Sequence, residues 1–101
     1  MLMSEEARKI VGCLAALLPE LRREFPLHGM ALFGSTARGE AGPRSDVDIL
    51  VDVDASIGLE FVTLADQLEA ALGRKVDLVS RRALKPGLRS LIEKEAIDVE
   101  A

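Results

Sequence analysis

The sequence has no tryptophan, no tyrosine and three phenylalanines in 101 residues. A platform that stacks single-stranded bases on aromatic rings has little to build from. Positive charge is also short: 13 Lys and Arg stand against 17 Asp and Glu, a net charge of −4. A general nucleic-acid binder needs surplus basic side chains to replace counterions, so nucleic acid is not an expected partner. One cysteine, Cys13, excludes an intramolecular disulfide and any Cys-cluster zinc site. Set in an apolar helical run, Cys13 reads as a small buried hydrophobe. No apolar run reaches the roughly 18 residues of a membrane span. Met1 to Lys9 carries Glu5 and Glu6 where a signal peptide would be basic. These absences lead to the expectation of a soluble, cytoplasmic protein with no membrane partner.

Hydrophobic residues are 49% and charged residues 30% of the chain, a globular balance built on an aliphatic core. The length suits one domain over residues 1–101. Ser4 can cap a first helix, with apolar residues at Ala7, Ile10, Val11, Leu14, Leu17, Leu18 and Leu21 on one face. Pro19 predicts a kink or restart in it, and Pro26 closes the segment. His28 to Phe33 reads as a strand, and Asp46 to Val53 as a second with clear alternation. A helix opening at Ser56 or Gly58 carries Leu59, Val62, Ala65, Leu68 and Leu72, and Gly73 follows as its stop. Lys75 to Val79 is a third strand. Pro86 opens a last helix with Leu88, Leu91 and Ile92, and Ile97 to Val99 is a short final strand. About twelve Gly-rich residues join the first two strands, too few for a helical crossover, so those strands can run antiparallel. The fold class is therefore α/β in the broad sense (α+β): a small mixed sheet with helices mainly on one face.

The chemistry concentrates between Leu32 and Val51. Asp46 and Asp48 are two apart on a strand and share a face, where their carboxylates repel unless a cation joins them. Mg²⁺ takes one or two carboxylates together with substrate phosphates. Asp52 and Asp54 continue the alternation, so a plain polar face is the competing reading. Asp54, however, lies about 25 Å from Asp46 along an ideal strand. Gly34 and Ser35 form a turn in which backbone can approach a ligand closely and a hydroxyl can meet phosphate. Arg38 adds a fixed positive fork. Asp77, alone among Val76, Leu78 and Val79, joins Asp46 and Asp48 if strand three lies beside strand two; otherwise it guards an edge. Arg44 can close over a ligand from the loop, whereas Arg81, Arg82 and Lys85 read as a solvated helix start. His28 and Cys13 need no catalytic part.

Three other motifs are excluded, the EF-hand loop by Thr63 at its closing Glu position as well as by its glycine position. Glu40 stands where a P-loop needs Lys. Ile57 stands where an EF-hand loop needs Gly. No G-x-G-x-x-G occurs.

Gly34-Ser35, ten residues, then Asp46-Val47-Asp48 resembles the G-S-x10-D-x-D signature of the DNA polymerase β-like nucleotidyltransferase superfamily. The run from Leu32 to Val53 is similar to the minimal nucleotidyltransferases of prokaryotes, the antitoxin partners of HEPN-domain ribonuclease toxins. The resemblance extends over most of the chain, including the first helix and Val76 to Val79. It implies a polymerase β-like nucleotidyltransferase core, with Asp46, Asp48 and Asp77 as catalytic and metal-binding carboxylates for two Mg²⁺ ions. Asp77 would act on the nucleophile. Gly34 and Ser35 would hold nucleotide phosphates, and Arg38 and Ser45 match positions of the extended motif.

The implied activity is transfer of AMP from ATP to a hydroxyl, such as a Tyr, of a HEPN toxin, which would disarm the toxin by AMPylation. A chain this short has little room for its own acceptor-binding domain, so a partner protein is the expected acceptor. The acidic surface suits a basic ribonuclease in a hetero-oligomer; a homo-oligomer is equally compatible. A binding module that neutralises the toxin by occlusion, without transfer, is the alternative. A nucleotide sensor that binds without turnover is a third reading.

Overall fold

The computed structural model describes residues 3–42 and 44–100; Pro43, in the motif loop, lies outside the described residues, as do Met1, Leu2 and Ala101. Helix α1 spans Glu5–Glu24. The Ser4 hydroxyl accepts the Ala7 N–H at 3.0 Å, and Glu5 and Glu6 sit in the first turn, where the dipole favours acids. Ala7, Ile10, Leu14, Leu18 and Leu21 are its buried face. The helix does not restart at Pro19. Pro19 is exposed, while Leu18 and Leu21 on either side are buried. Burying each Leu is worth about 1.5–3 kcal/mol, which together exceeds the ~3 kcal/mol of an interior proline.

Strand β1 (Leu27–Phe33) leads directly into the five-residue helix α2 (Gly34–Arg38), and a loop carries the chain to β2 (Val47–Val53). A 3-10 turn (Ala55–Ile57) precedes α3 (Glu60–Leu72), which ends at Gly73 in the left-handed conformation. Then come β3 (Val76–Ser80), a second 3-10 turn (Arg81–Ala83), α4 (Pro86–Glu95) and β4 (Ile97–Asp98). The sheet order is β3-β2-β1-β4. The β1–β2 and β1–β4 pairs are antiparallel and β2–β3 is parallel, the pair that α3 bridges. This is the expected small mixed sheet.

Alternation along the strands sorts the core into two faces. Leu27, Met30 and Leu32 of β1 and Val47, Ile49, Val51 and Val53 of β2 pack with the two long helices, α1 and α3, in the main core. Ala31, Phe33 and Leu50 point the other way, where Leu84 and Ile92 of the α4 region cover part of the sheet. Asp48 has the parity of Leu50 and Asp77 that of Val79, so both stand on this second, thinly covered face.

Two expectations need correction, on α3 and on Cys13, and α4 adds a finding of its own. The buried side of α3 is Leu64 and Leu68, with Phe61 and Leu72 packed beside them. Leu59 (90% exposed) and Val62 (60%) were assigned to that face and face solvent instead. Val62 lies some 200° around the helix from Leu64, and the larger Phe61–Leu64 pair wins the sheet. In α4, Leu88 and Leu91 are exposed and Ile92 alone of the three packs inward. Cys13 is half-buried rather than buried.

Candidate active site

The closest approach at the site is between the turn after β1 and the start of β2. Phe33 pairs with Asp48 across the antiparallel register, so Gly34 lies against that carboxylate. Gly34 has φ +74°, and a Cβ on it would stand 2.8 Å from Asp48 Cγ. Both the left-handed backbone and the missing side chain are therefore required, and any other residue would push Asp48 out of place. Ser35 follows as a half-buried residue of α2.

The parallel register sets Asp48 opposite Asp77. Residues paired across neighbouring strands project to the same face, so the two carboxyl groups meet there. Asp46 precedes β2 and is exposed, as is Asp77, while Asp48 is half-buried. Burial, then the charge of Asp77 and a hydrogen-bonding contact with it, then the charge of Asp46, push the Asp48 carboxyl above its ordinary 3.8; Arg38 pulls the other way. These three acids are thus electrostatically one group. Among the described residues, however, no three His, Cys, Asp or Glu side chains converge on a point that could hold one metal ion. The structure pairs Asp48 with Asp77 and brings Asp46 near them without closing a three-ligand cage.

Arg38, at the end of α2, is gripped by two acids. Its guanidinium donates to Glu95 at 2.9 Å and to Glu40 at 3.3 Å. These bonds, that from Glu95 first, raise it further above the usual arginine range. The Ser45 hydroxyl accepts the Gly42 N–H at 2.9 Å, and the Ser45 carbonyl accepts from Arg74 at 2.8 Å. Ser45 therefore works first as the brace of the loop that delivers Asp46. Arg44, in the same loop, is exposed, and Arg81 is tied to Glu93 at 3.5 Å. His28 is a surface residue 3.5 Å from Asp54, remote from the acids.

Two residues that organise the site had not been singled out in the sequence. Glu95, the last residue of α4, accepts the Gly34 N–H at 3.2 Å as well as the Arg38 bond. A faint signal was present: an acid in the last turn of a helix opposes the dipole and calls for a partner. Arg74 joins the Ser45 carbonyl to Glu6 at the start of α1. Nothing local distinguishes Arg74 from a surface arginine. A groove of about 750 Å³, lined by Val53, Ile57, Phe61, Leu78 and Val79, opens at the opposite ends of β2 and β3. It is mainly apolar, with Asp54 and Arg82 at its margin; Val53 stands five residues beyond Asp48 along β2, while Leu78 directly follows Asp77.

Residues 14–99 match the family model described as the nucleotidyltransferase domain. The chain belongs to that family. Nucleotidyltransferases similar to it include the protein adenylyltransferase MntA of Thermococcus cleftensis, 43% identical over 98% of both chains. A solved minimal nucleotidyltransferase superposes with a TM-score of 0.76 at 37% identity, covering 91% of this chain and 94% of that one. A structure of a tri-AMPylated Shewanella oneidensis HEPN toxin in complex with MNT antitoxin matches with a TM-score of 0.65 at 25% identity, covering 92% of this chain and 71% of the other. As a nucleotidyltransferase, the chain carries the acids, the Gly34-Ser35 turn and Arg38 within its matched span. No helix among the described residues is long and apolar enough to cross a membrane.

Proposed function

We propose that residues 1–101 act as one minimal nucleotidyltransferase domain that moves AMP from ATP onto a hydroxyl, a Tyr by preference, of a HEPN-domain toxin, and so serves as its antitoxin. The observation that carries this reading is Asp48: on one side it meets Asp77 across the parallel register, and on the other it lies against Gly34 of the turn. Acid pair and turn are thus within one side chain of each other. The similarity to an adenylyltransferase and to an antitoxin in complex with an AMPylated HEPN toxin supplies the direction of the chemistry.

The donor set suits Mg²⁺. Asp46, Asp48 and Asp77 are hard oxygen ligands; burial first, and then the charges of Asp77 and Asp46, raise the Asp48 carboxyl, and a dication would relieve the repulsive part. With no three acids converging, each ion would draw on one or two carboxylates and take its other oxygens from phosphate and water. When bound, Mg²⁺ would polarise the α-phosphoryl group and neutralise the charge on the pyrophosphate.

The remaining work falls to the chain. The close approach at Gly34 lets the triphosphate lie against backbone, and the Ser35 hydroxyl can donate to a phosphate oxygen. Arg38 presents a fixed cation, and Ser45, through its loop, sets the position of Asp46. Asp77, exposed on the edge strand, accepts the proton of the acceptor hydroxyl as its oxygen bonds to the α-phosphorus. The bond from that phosphorus to the pyrophosphate oxygen breaks in line, and pyrophosphate leaves. Positioning and charge supply the acceleration, with no covalent intermediate on the protein.

Mass measurement of the toxin encoded by the neighbouring gene, after incubation with the protein, ATP and Mg²⁺, tests this reading. The toxin should gain one or more AMP units. Asp46→Asn with Asp48→Asn should slow the gain by about a thousandfold or more. An unchanged toxin mass with toxicity still suppressed would establish neutralisation by occlusion instead.

A further inference from the structure

The five-residue helix α2 is too short to be stable alone, since nucleating a helix fixes several residues for one hydrogen bond. It nevertheless carries Ser35 and Arg38. Glu95 braces both of its ends. One carboxylate oxygen accepts the N–H of Gly34, its first residue, at 3.2 Å, and the other accepts from Arg38, its last residue, at 2.9 Å. The two contacts bridge 61 and 57 positions of sequence. The Glu95 side chain is 30% exposed against 45% for Arg38, so the brace is the more buried partner. It lies at the junction of α4 and the short strand β4, whose pairing with β1 anchors the C-terminal end of α4 beside the turn. Glu40 completes the grip on Arg38 from the far side.

We propose that Glu95 is a positioning residue: by splinting α2 at both ends it fixes the Ser35 hydroxyl and the Arg38 guanidinium in the arrangement that receives the nucleotide. This rests on the proposed nucleotidyl-transfer reading for the identity of the ligand. Glu95 touches no reacting atom in this scheme and acts only through Gly34 and Arg38. The opposite role is a carboxylate that merely competes with phosphate for the same donors, and it predicts an effect of opposite sign.

The test is Mg²⁺-ATP binding to the full chain by calorimetry, which needs no acceptor and so stands or falls separately from toxin modification. Glu95→Ala should weaken binding about tenfold or more, the loss expected when a charge-assisted hydrogen bond no longer holds its donor in place. Glu95→Gln keeps one acceptor oxygen and the side-chain length, and should fall between Ala and wild type. Arg38→Ala should weaken binding too, and the double variant should lose less than the sum of the two single losses, the Gly34 contact being the part of the splint that Arg38 does not carry. Amide exchange across residues 34–38 should quicken in Glu95→Ala while the β2 amides stay protected. Tighter binding in both Glu95 variants would show competition and overturn the proposal. So would unchanged binding, or additive losses in the double variant.

Discussion

At the scale of single residues the site is defined by what cannot be replaced. Gly34 is confined by its positive φ and by the Asp48 carboxyl lying where a Cβ would go. Asp48 holds a less comfortable place. Its raised pKa means that the native state binds its proton more readily than the unfolded chain does. Its contribution is therefore most favourable below the ordinary value of 3.8 and is lost as pH rises through the elevated value. It follows that Asp48→Asn, in metal-free buffer, should melt at a higher temperature than wild type at pH 7, with the advantage shrinking as pH falls through the raised Asp48 value and gone at the ordinary 3.8. Thermal unfolding across that range checks this, and an advantage independent of pH would contradict it. The protein would then be keeping a destabilising carboxylate for its chemistry, a common arrangement at functional sites. The alternation Asp46-Val47-Asp48 and the Gly34-Ser35 pair were readable as a site because each is a local pattern. Glu95 and Arg74 were not, because their partners are distant in sequence.

At the scale of elements, helix α1 shows burial overriding propensity. Leu18 and Leu21 keep the helix on the sheet through Pro19, which faces solvent and withholds one donor. Pro19→Ala restores that bond without touching the core and should stabilise the protein by about 1–3 kcal/mol, measured by urea unfolding. A loss of stability would mean that the proline serves the helix's packing. Helix α3 shows the limit of periodicity. Two overlapping sets of apolar residues were available, and the one containing Leu59 and Val62 lost to Phe61 and Leu64. A pattern of spacing indicates that a helix is amphipathic, but when its apolar residues span a wide arc the partner surface selects the buried side. Strand β2 offered no such choice, since a shift of one residue would have buried Asp48 and exposed Ile49.

At the scale of the whole molecule, the sheet is a device for bringing three separate segments to one face. The antiparallel β1–β2 pair sets the turn against Asp48, and the parallel β2–β3 pair sets Asp77 beside it. Helices α1 and α3 close the opposite face and leave this one open near the acids. A ligand that bridges the segments should stabilise the fold as a unit. Saturating Mg²⁺-ATP, at about a hundred times its dissociation constant, should add roughly 2.7 kcal/mol. The resulting rise in melting temperature should be absent in Asp46→Asn/Asp48→Asn, and an equal rise in that variant would place the nucleotide elsewhere.

The scarcity of aromatics and of positive charge, the aliphatic strands and the spacing from Gly34 to Asp48 are properties of neighbouring residues, and they were enough to read the mixed sheet and the carboxylate-and-turn motif. Whether Asp77 stood apart from Asp48 or beside it was open until the parallel register of the edge strand β3 set the two opposite each other. The splint from Glu95 and the brace from Arg74 likewise needed the folded chain. Alternation and turn chemistry act over a few residues and are written in local order. Contacts across sixty positions exist only because the packing of α4 and the pairing of β4 close those distances.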